Sequence, residues 1–408
     1  MAELQLNSYR DILGNKNFLA FWSGFTLSAI GDSLTRVALT WLVFEETKSA
    51  QALGILTIAY TAPILLGGFF AGPLLDRFGA RRVMIFDNLL RGFVFALIPI
   101  LHLLNKLELW HIYIFAAIYG VLMMISLAGG PTLIPSIVKQ EQLETANAME
   151  TLSYTISGVI GPPLAGLLIV WIGTTNVVIF DALSYFIFAF ALLGMTVREP
   201  IHASSEPANV SYSIMDAVRL MIRNKVILST TLMFMAFNAG LGALTVFLPL
   251  VSDQIAAGSS KVFGVLLGAM ALGEVISAWL AGSLTLNVTL GKRIALAQIL
   301  SGLSLTLLLK GSVVWAVAIG LFLLGFFSAP LTIWAQTLRM QVIPPEMRGR
   351  TFALLRTLMQ GATPLGGALA GFLLPVLGMQ IMIGLSSLII GAPGLAGMQV
   401  TALKQAGS

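Results

Sequence analysis

The sequence predicts an all-α integral membrane protein with twelve transmembrane helices arranged as two six-helix halves. Three observations lead there. Of its 408 residues, 57% are hydrophobic and only 10% are charged, with a mean hydropathy of +0.91, more apolar surface than a soluble chain of this length can hide. Apolar runs long enough to span a bilayer as a helix recur twelve times. The basic residues crowd into alternate connections between those runs, the bias that fixes orientation in a membrane.

The runs cover residues 18–44, 50–74, 83–104, 109–138, 142–171, 174–196, 226–251, 261–285, 291–309, 313–339, 349–376 and 379–400. An even number of spans places both termini on one side. With the termini inside, sixteen Lys and Arg lie in inner segments, against only Lys48, Lys106, Lys261 and Lys310 outside. The positive-inside rule therefore predicts a multi-pass protein of the cell membrane with both ends cytoplasmic. Arg36, Arg91 and Arg356 remain within or at the edge of spans.

Residues 198–225 form the longest polar interruption and divide the spans six and six. The expected organisation is a bundle over 1–197, a cytoplasmic linker over 198–225 and a second bundle over 226–408. The linker begins as a flexible segment rich in Ser and Pro. From Tyr212 to Asn224, Ile214, Ala217, Val218 and Met221 alternate with Asp216, Arg219 and Arg223 in the pattern of an amphipathic helix lying on the inner interface. The halves echo one another. Ala71-Gly72-x-Leu74 recurs as Ala281-Gly282-x-Leu284, Ile134-Pro135 as Ile343-Pro344, and Leu164-Ala165-Gly166 as Leu369-Ala370-Gly371. The second copy of the first motif has Asn287 and no acid, so its charged hub belongs to the first half alone.

Composition also excludes several classes. The net charge of +5 is scattered over short loops rather than gathered in a patch, which argues against nucleic-acid binding. With no cysteine there is no disulfide framework and no thiol chemistry. His102, His111 and His202 lie near helix ends or in the linker, so no metal centre and no cofactor are expected. No Ser/His/Asp grouping, HExxH or P-loop is present, so neither an enzyme nor an ATP-driven pump is expected. The stretch Met1 to Asn17 is polar and lacks the apolar region of a signal peptide.

The connection after the second run reads Gly72-Pro-Leu-Leu-Asp-Arg-Phe-Gly-Ala-Arg-Arg82. Asp76, Arg77, Arg81 and Arg82 must stay outside the hydrocarbon, and Gly72 and Gly79 suit a tight turn. The string resembles the loop between helices 2 and 3 of the major facilitator superfamily, Gly-x-Leu-x-Asp-Arg-x-Gly-x-Arg-Arg, at Gly72, Leu74, Asp76, Arg77, Gly79, Arg81 and Arg82. The resemblance implies a secondary transporter whose two pseudo-symmetric six-helix bundles surround a central cavity. It also implies a cytoplasmic gating role for this loop. Asp76 is then expected to meet the start of span 11 or Arg356, which would hold the inner side shut. Gly161-Pro162-Pro163-Leu164-Ala165-Gly166 in span 5 resembles the antiporter signature of the superfamily, with Ala165 in place of one glycine. As a plain reading, the same residues are small-residue helix packing.

Ionisable groups inside spans are the sharper functional signal. Asp32 lies mid-span with Arg36 one turn on; the two are expected to form an internal salt bridge or to meet a cationic substrate. Glu274 lies near the middle of span 8 with no cation within a turn. A buried carboxyl of that kind can take up and release a proton during a cycle, so Glu274 is the first candidate for proton coupling and Asp32 the second. Asp181 is placed in the outer third of span 6, at a cavity mouth or capping a neighbour. Asp87 and Arg91 are read as an intrahelical pair at the inner end of span 3, joined to Arg77, Arg81 and Arg82. Expected cavity residues include Phe25, Trp41, Tyr60, Tyr119, Tyr154, Tyr185, Phe234, Phe237, Asn238, Gln298, Phe326 and Trp334. Such aromatic walls suit amphipathic or cationic ligands.

The resemblance is closest to the drug, macrolide and siderophore exporter branch, which the Asn17-Phe18-x-x-Phe21-Trp22 entry also suits. It implies export of hydrophobic or amphipathic small molecules in exchange for protons, by a monomer in contact with membrane lipids. Many proton antiporters of the superfamily carry an arginine in span 4, and this span 4 has none. The alternative is a lipid or lysolipid translocator, or a proton-independent facilitator, on the same fold.

Overall fold

The computed structural model describes residues 11–196, 214–257, 259–283, 288–311, 313–344 and 347–406. Among these, all regular structure is helical, and twelve helices are long and apolar enough to cross a membrane. The first six are α1 (Lys16–Thr47), α2 (Ala50–Phe78), α3 (Ala80–Leu103), α4 (Leu109–Ile137), α5 (Leu143–Ile172) and α6 (Thr174–Gly194). A short helix α7 (Ile214–Arg223) precedes α8 (Lys225–Ile255), α9 (Ser260–Ser283), α10 (Leu290–Leu305), α11 (Val314–Val342), α12 (Arg348–Leu377) and α13 (Met379–Gln399). Each span lies within a few residues of the apolar run that predicts it.

The connection at 72–82 differs from its expected form. Gly72, Pro73, Asp76 and Arg77 are all helical, α2 runs on to Phe78, and α3 begins at Ala80. The junction is the single residue Gly79, at φ 81°. Asp76 and Arg77 are exposed on the last turn, so they reach a polar layer without leaving the helix. Gly79 donates its N–H to the Leu75 carbonyl at 2.9 Å and accepts from Val83 at 3.2 Å. It thus ends one helix and starts the next in a backbone conformation that a Cβ disfavours. Gly173 and Gly378, at φ 85° and 81°, do the same between α5 and α6 and between α12 and α13. These two glycines occupy matching steps of the internal repeat.

The helices group into two compact units, Met1–Val43 with Ala59–Ser204, and Phe44–Ile58 with Ser205–Ser408. The facing ends of α1 and α2 therefore belong to the second unit. In the first unit α3 packs on α6 and α4, and an aromatic group of Phe18, Phe21, Phe25 and Phe188 fills the core at one end. In the second, α8 packs on α12, α9 on α11 and α10 on α13.

Small residues set how closely these helices approach. A Cβ at Gly161 would run into Ser33 of α1, and one at the equivalent Gly366 would run into Ala239 of α8. Gly273 faces the Phe322 backbone and Gly325 the Met270 backbone across the α9–α11 crossing. Gly161, Pro162 and Gly166 lie inside the continuous helix α5, with Gly161 and Gly166 buried.

The amphipathic helix expected before span 7 is present as α7. Its Leu220 and Met221 pack against Ile227, Ile343 and Leu355, while Met215 and Ile222 are exposed. Asn224 then caps α8, its side chain accepting from the N–H groups of Val226 at 3.0 Å and Ile227 at 3.2 Å. The earlier part of the linker with Arg198 and His202, and the repeat positions Leu284 to Asn287, lie outside the described residues.

Candidate functional site: charges buried among the spans

The first unit contains a polar cluster assembled from four helices. On α3, Asp87 and Arg91 are one turn apart and 0% and 1% exposed. The Arg91 Nε donates to Asp87 Oδ1 at 3.0 Å, and its Nη2 donates to Asp87 Oδ2 and to Ser126 Oγ of α4. The Ser126 hydroxyl in turn donates to Asp87 Oδ2 at 3.2 Å. The remaining guanidinium nitrogen of Arg91 lies 3.9 Å from Asp32 of α1, whose carboxylate also accepts from the Tyr185 hydroxyl of α6. The Tyr185 and Tyr119 rings flank the guanidinium at 5.0 and 5.8 Å, and Tyr60 packs on Tyr119 at 4.7 Å. Buried charge is tolerated here because each Arg91 donor has an oxygen or an aromatic face against it.

Three sequence expectations change at this cluster. The cation paired with Asp32 is Arg91, not Arg36, which is exposed and forms no ion pair with Asp32. Asp87 and Arg91 do form the expected intrahelical pair, but it joins Asp32, Ser126 and Tyr185 rather than Arg77, Arg81 and Arg82. Asp181 is not at a cavity mouth. It is 0% exposed, packed against Gly31 of α1, where a Cβ would stand 3.1 Å from the Asp181 Cα and 2.7 Å from the Ser184 Oγ. The Ser184 hydroxyl bonds the Asp181 carbonyl at 2.7 Å and reaches its Oδ1 at 3.4 Å. Thr35 of α1 also stands within hydrogen-bonding reach of the Asp181 carboxyl, while the buried hydroxyl of Ser33 has no hydrogen-bond partner among the described residues.

At the other end of α3, Arg81 donates to the Leu192 carbonyl at 2.8 Å and the Leu193 carbonyl at 2.6 Å. It ties α3 to the unsatisfied last turn of α6. Arg77 stacks over Phe78 at 5.2 Å, and Asp76, Arg82 and Arg356 are exposed. The basic residues around Gly79 thus act separately within their unit: one caps a helix while its neighbours face outward.

In the second unit Glu274 lies at the α9–α11 crossing, where Gly273 and Gly325 bring the two backbones together. Its Oε1 accepts from the Ser328 hydroxyl at 3.4 Å, and no ion pair reaches it among the described residues. Asn238 and Gln298 each tie two helices together: Asn238 donates to the Met359 carbonyl at 2.9 Å and Gln298 to the Met233 carbonyl at 2.8 Å. Phe237 is buried beside Phe234, and Tyr60, Trp41 and Tyr185 are also buried. Sequence reasoning missed Arg339. The last residue of the run 313–339, it is 2% exposed, donates to the Thr230 carbonyl at 2.9 Å, and stands over the Phe234 ring at 4.6 Å. The available signal was its position, one turn before the Ile343-Pro344 motif that ends span 10.

Twelve spans and an internal repeat are the architecture of the major facilitator class of multi-pass membrane transporters. The family model described as "Transmembrane secretion effector" matches residues 11–406, and the chain belongs to that family. The chain is 25% identical to the multidrug efflux pump Tap of Mycolicibacterium fortuitum, over 91% of this chain and 93% of that protein. It is 24% identical to the staphyloferrin A transporter of Staphylococcus aureus, over 88% and 90% of the two chains. Among solved structures, the nucleoside transporter NupG shares the fold, with a TM-score of 0.69 at 14% identity over 94% of this chain and 98% of that one.

Proposed function

We propose that this protein exports hydrophobic or amphipathic small molecules, in the range of drugs, macrolides and siderophore-like compounds, by alternating access in exchange for protons. The observation that carries the reading is Glu274. It is a carboxyl held between two spans, partnered only by a hydroxyl among the described residues, at a crossing tightened by glycines on both helices. A group so placed binds a cation at the cost of little rearrangement and is otherwise expensive to keep in a membrane. Whole-length similarity to a protein named as a multidrug efflux pump supports outward movement of apolar cargo. Arg91 supplies, from span 3, the embedded cation that span 4 lacks. The protein would work as a monomer in the cell membrane, with both termini cytoplasmic.

Bacteria stripped of their own exporters and expressing this chain test the reading. Preloaded ethidium should leave them faster than it leaves control cells, and a protonophore should abolish the difference. Equal dye retention, with equal sensitivity to a panel of macrolides and cationic antibiotics, would show that the cargo class is wrong.

A further inference from the structure

We propose that the outward face of α7, carrying Met215, Arg219, Ile222 and Arg223, together with Lys225 at the start of α8, is a docking surface for anionic phospholipid headgroups. The surface lies in the second unit alone and does not depend on the direction or the driving force of transport.

Position is the first argument. Asn224 is the only residue between α7 and α8, and its side chain caps the spanning helix. Leu220 and Met221 pack on Ile227, in the first turn of α8. The short helix is thus held at the level where its neighbour enters the bilayer.

The distribution of side chains is the second argument. Successive residues turn about 100° around a helix, which sets Ala217 and Met221 on the protein side, with Ala217 1% exposed. The opposite arc, also about 100° wide, holds Ile222, Met215, Arg219 and Arg223 in that order around the axis. Met215 and Ile222 are 56% and 59% exposed, so the apolar side of α7 runs on past its protein contact and ends beside two exposed arginines. A helix lying in a membrane surface has this form, its apolar edge in the acyl boundary and its cations among the headgroups. Two apolar side chains make a small patch for a stable protein interface, which buries about 800 Å² on each partner. They suffice as the edge of a helix already tethered to a span.

Charge is the third argument. Residues 214–225 hold three cations and one acid. Asp216 lies 3.4 Å from Arg219, in a pair whose side chains are 35% and 66% exposed, while Arg223 and Lys225 form no ion pair among the described residues. Lys225 opens α8, whose first turn contains no acid, at the end where the helix dipole favours an anion. Phosphate headgroups supply the negative charge that this corner of the unit lacks.

The chain contains no cysteine, so Ile222→Cys places a single NBD fluorophore on the full-length protein in lipid nanodiscs. Nitroxide-labelled phosphatidylglycerol and phosphatidylcholine then serve as quenchers at equal mole fraction. Phosphatidylglycerol should quench the more strongly, and added salt should narrow the difference. Each arginine at an anionic surface adds about fivefold to affinity, so Arg219→Gln combined with Arg223→Gln should cut the preference by about an order of magnitude. Replacing both by Lys keeps the charge and should keep the preference. Should the label at 222 disturb the helix, the same label on Met215→Cys reads the same face. Equal quenching by the two lipids, unchanged by the paired Gln substitutions, would overturn the proposal. So would a label that aqueous iodide quenches and neither lipid does, since that result would turn the face to water and to a protein partner.

Discussion

Replacing Arg91 by Gln is the most demanding test of the first unit's architecture. Asp87 is 0% exposed and Arg91 1%, and the substitution removes the charge facing both Asp87 and Asp32 while leaving those acids in place. Breaking a buried pair by deleting one partner costs about 3–5 kcal/mol, and in a unit of this size that lowers the unfolding midpoint by on the order of 10 °C. The assay is thermal unfolding in detergent followed by tryptophan fluorescence, with the surviving monodisperse fraction read by size exclusion. Adding Asp87→Asn to Arg91→Gln removes the stranded charge and should recover a large part of the loss, so the two changes will be strongly non-additive. A single variant within about 1 kcal/mol of wild type, with no coupling to Asp87, would mean that the cluster is hydrated and the buried-network reasoning is wrong.

The ion pair between Lys48 and Asp253 is the opposite case. Its side chains are 47% and 32% exposed, so Lys48→Met should change stability by less than about 1 kcal/mol, and added salt should change it little further. At the α9–α11 crossing, a Cβ on Gly325 would stand 3.2 Å from the Glu274 backbone nitrogen and closer still to the Met270 carbonyl. Gly325→Val should therefore force the helices apart, costing about 1–3 kcal/mol and reducing the folded yield, which the same size-exclusion profile measures.

Most of the fold was legible because a spanning helix announces itself as a long apolar run with charge held back to its ends. The error at 72–82 has a clear origin. Hydropathy falls at Asp76 and Arg77, but exposed charges on a last helical turn do not require the backbone to leave the helix, and only the φ of Gly79 marks where it does. Sites divide the same way. Glu274 stood out because its own helix offers no cation, and the Asp87–Arg91 pair because a spacing of four residues puts both on one face. The link from Arg91 to Asp32 was hidden because it joins α1 to α3, and Arg36, one turn from Asp32, offered a nearer partner. The ties made by Asn238 and Gln298 were hidden for a related reason: the carbonyls they bind belong to other helices, which no pattern within one segment reveals.

The proposed function requires that a proton gradient move cargo outward through membrane-embedded carboxyls. Purified protein in liposomes, with an imposed pH gradient and ethidium as the reporter, measures this directly for wild type, Glu274→Gln and Asp32→Asn. Wild type should accumulate the dye with the gradient, and Glu274→Gln should not. Equal movement with and without the gradient, unchanged by either substitution, would contradict it.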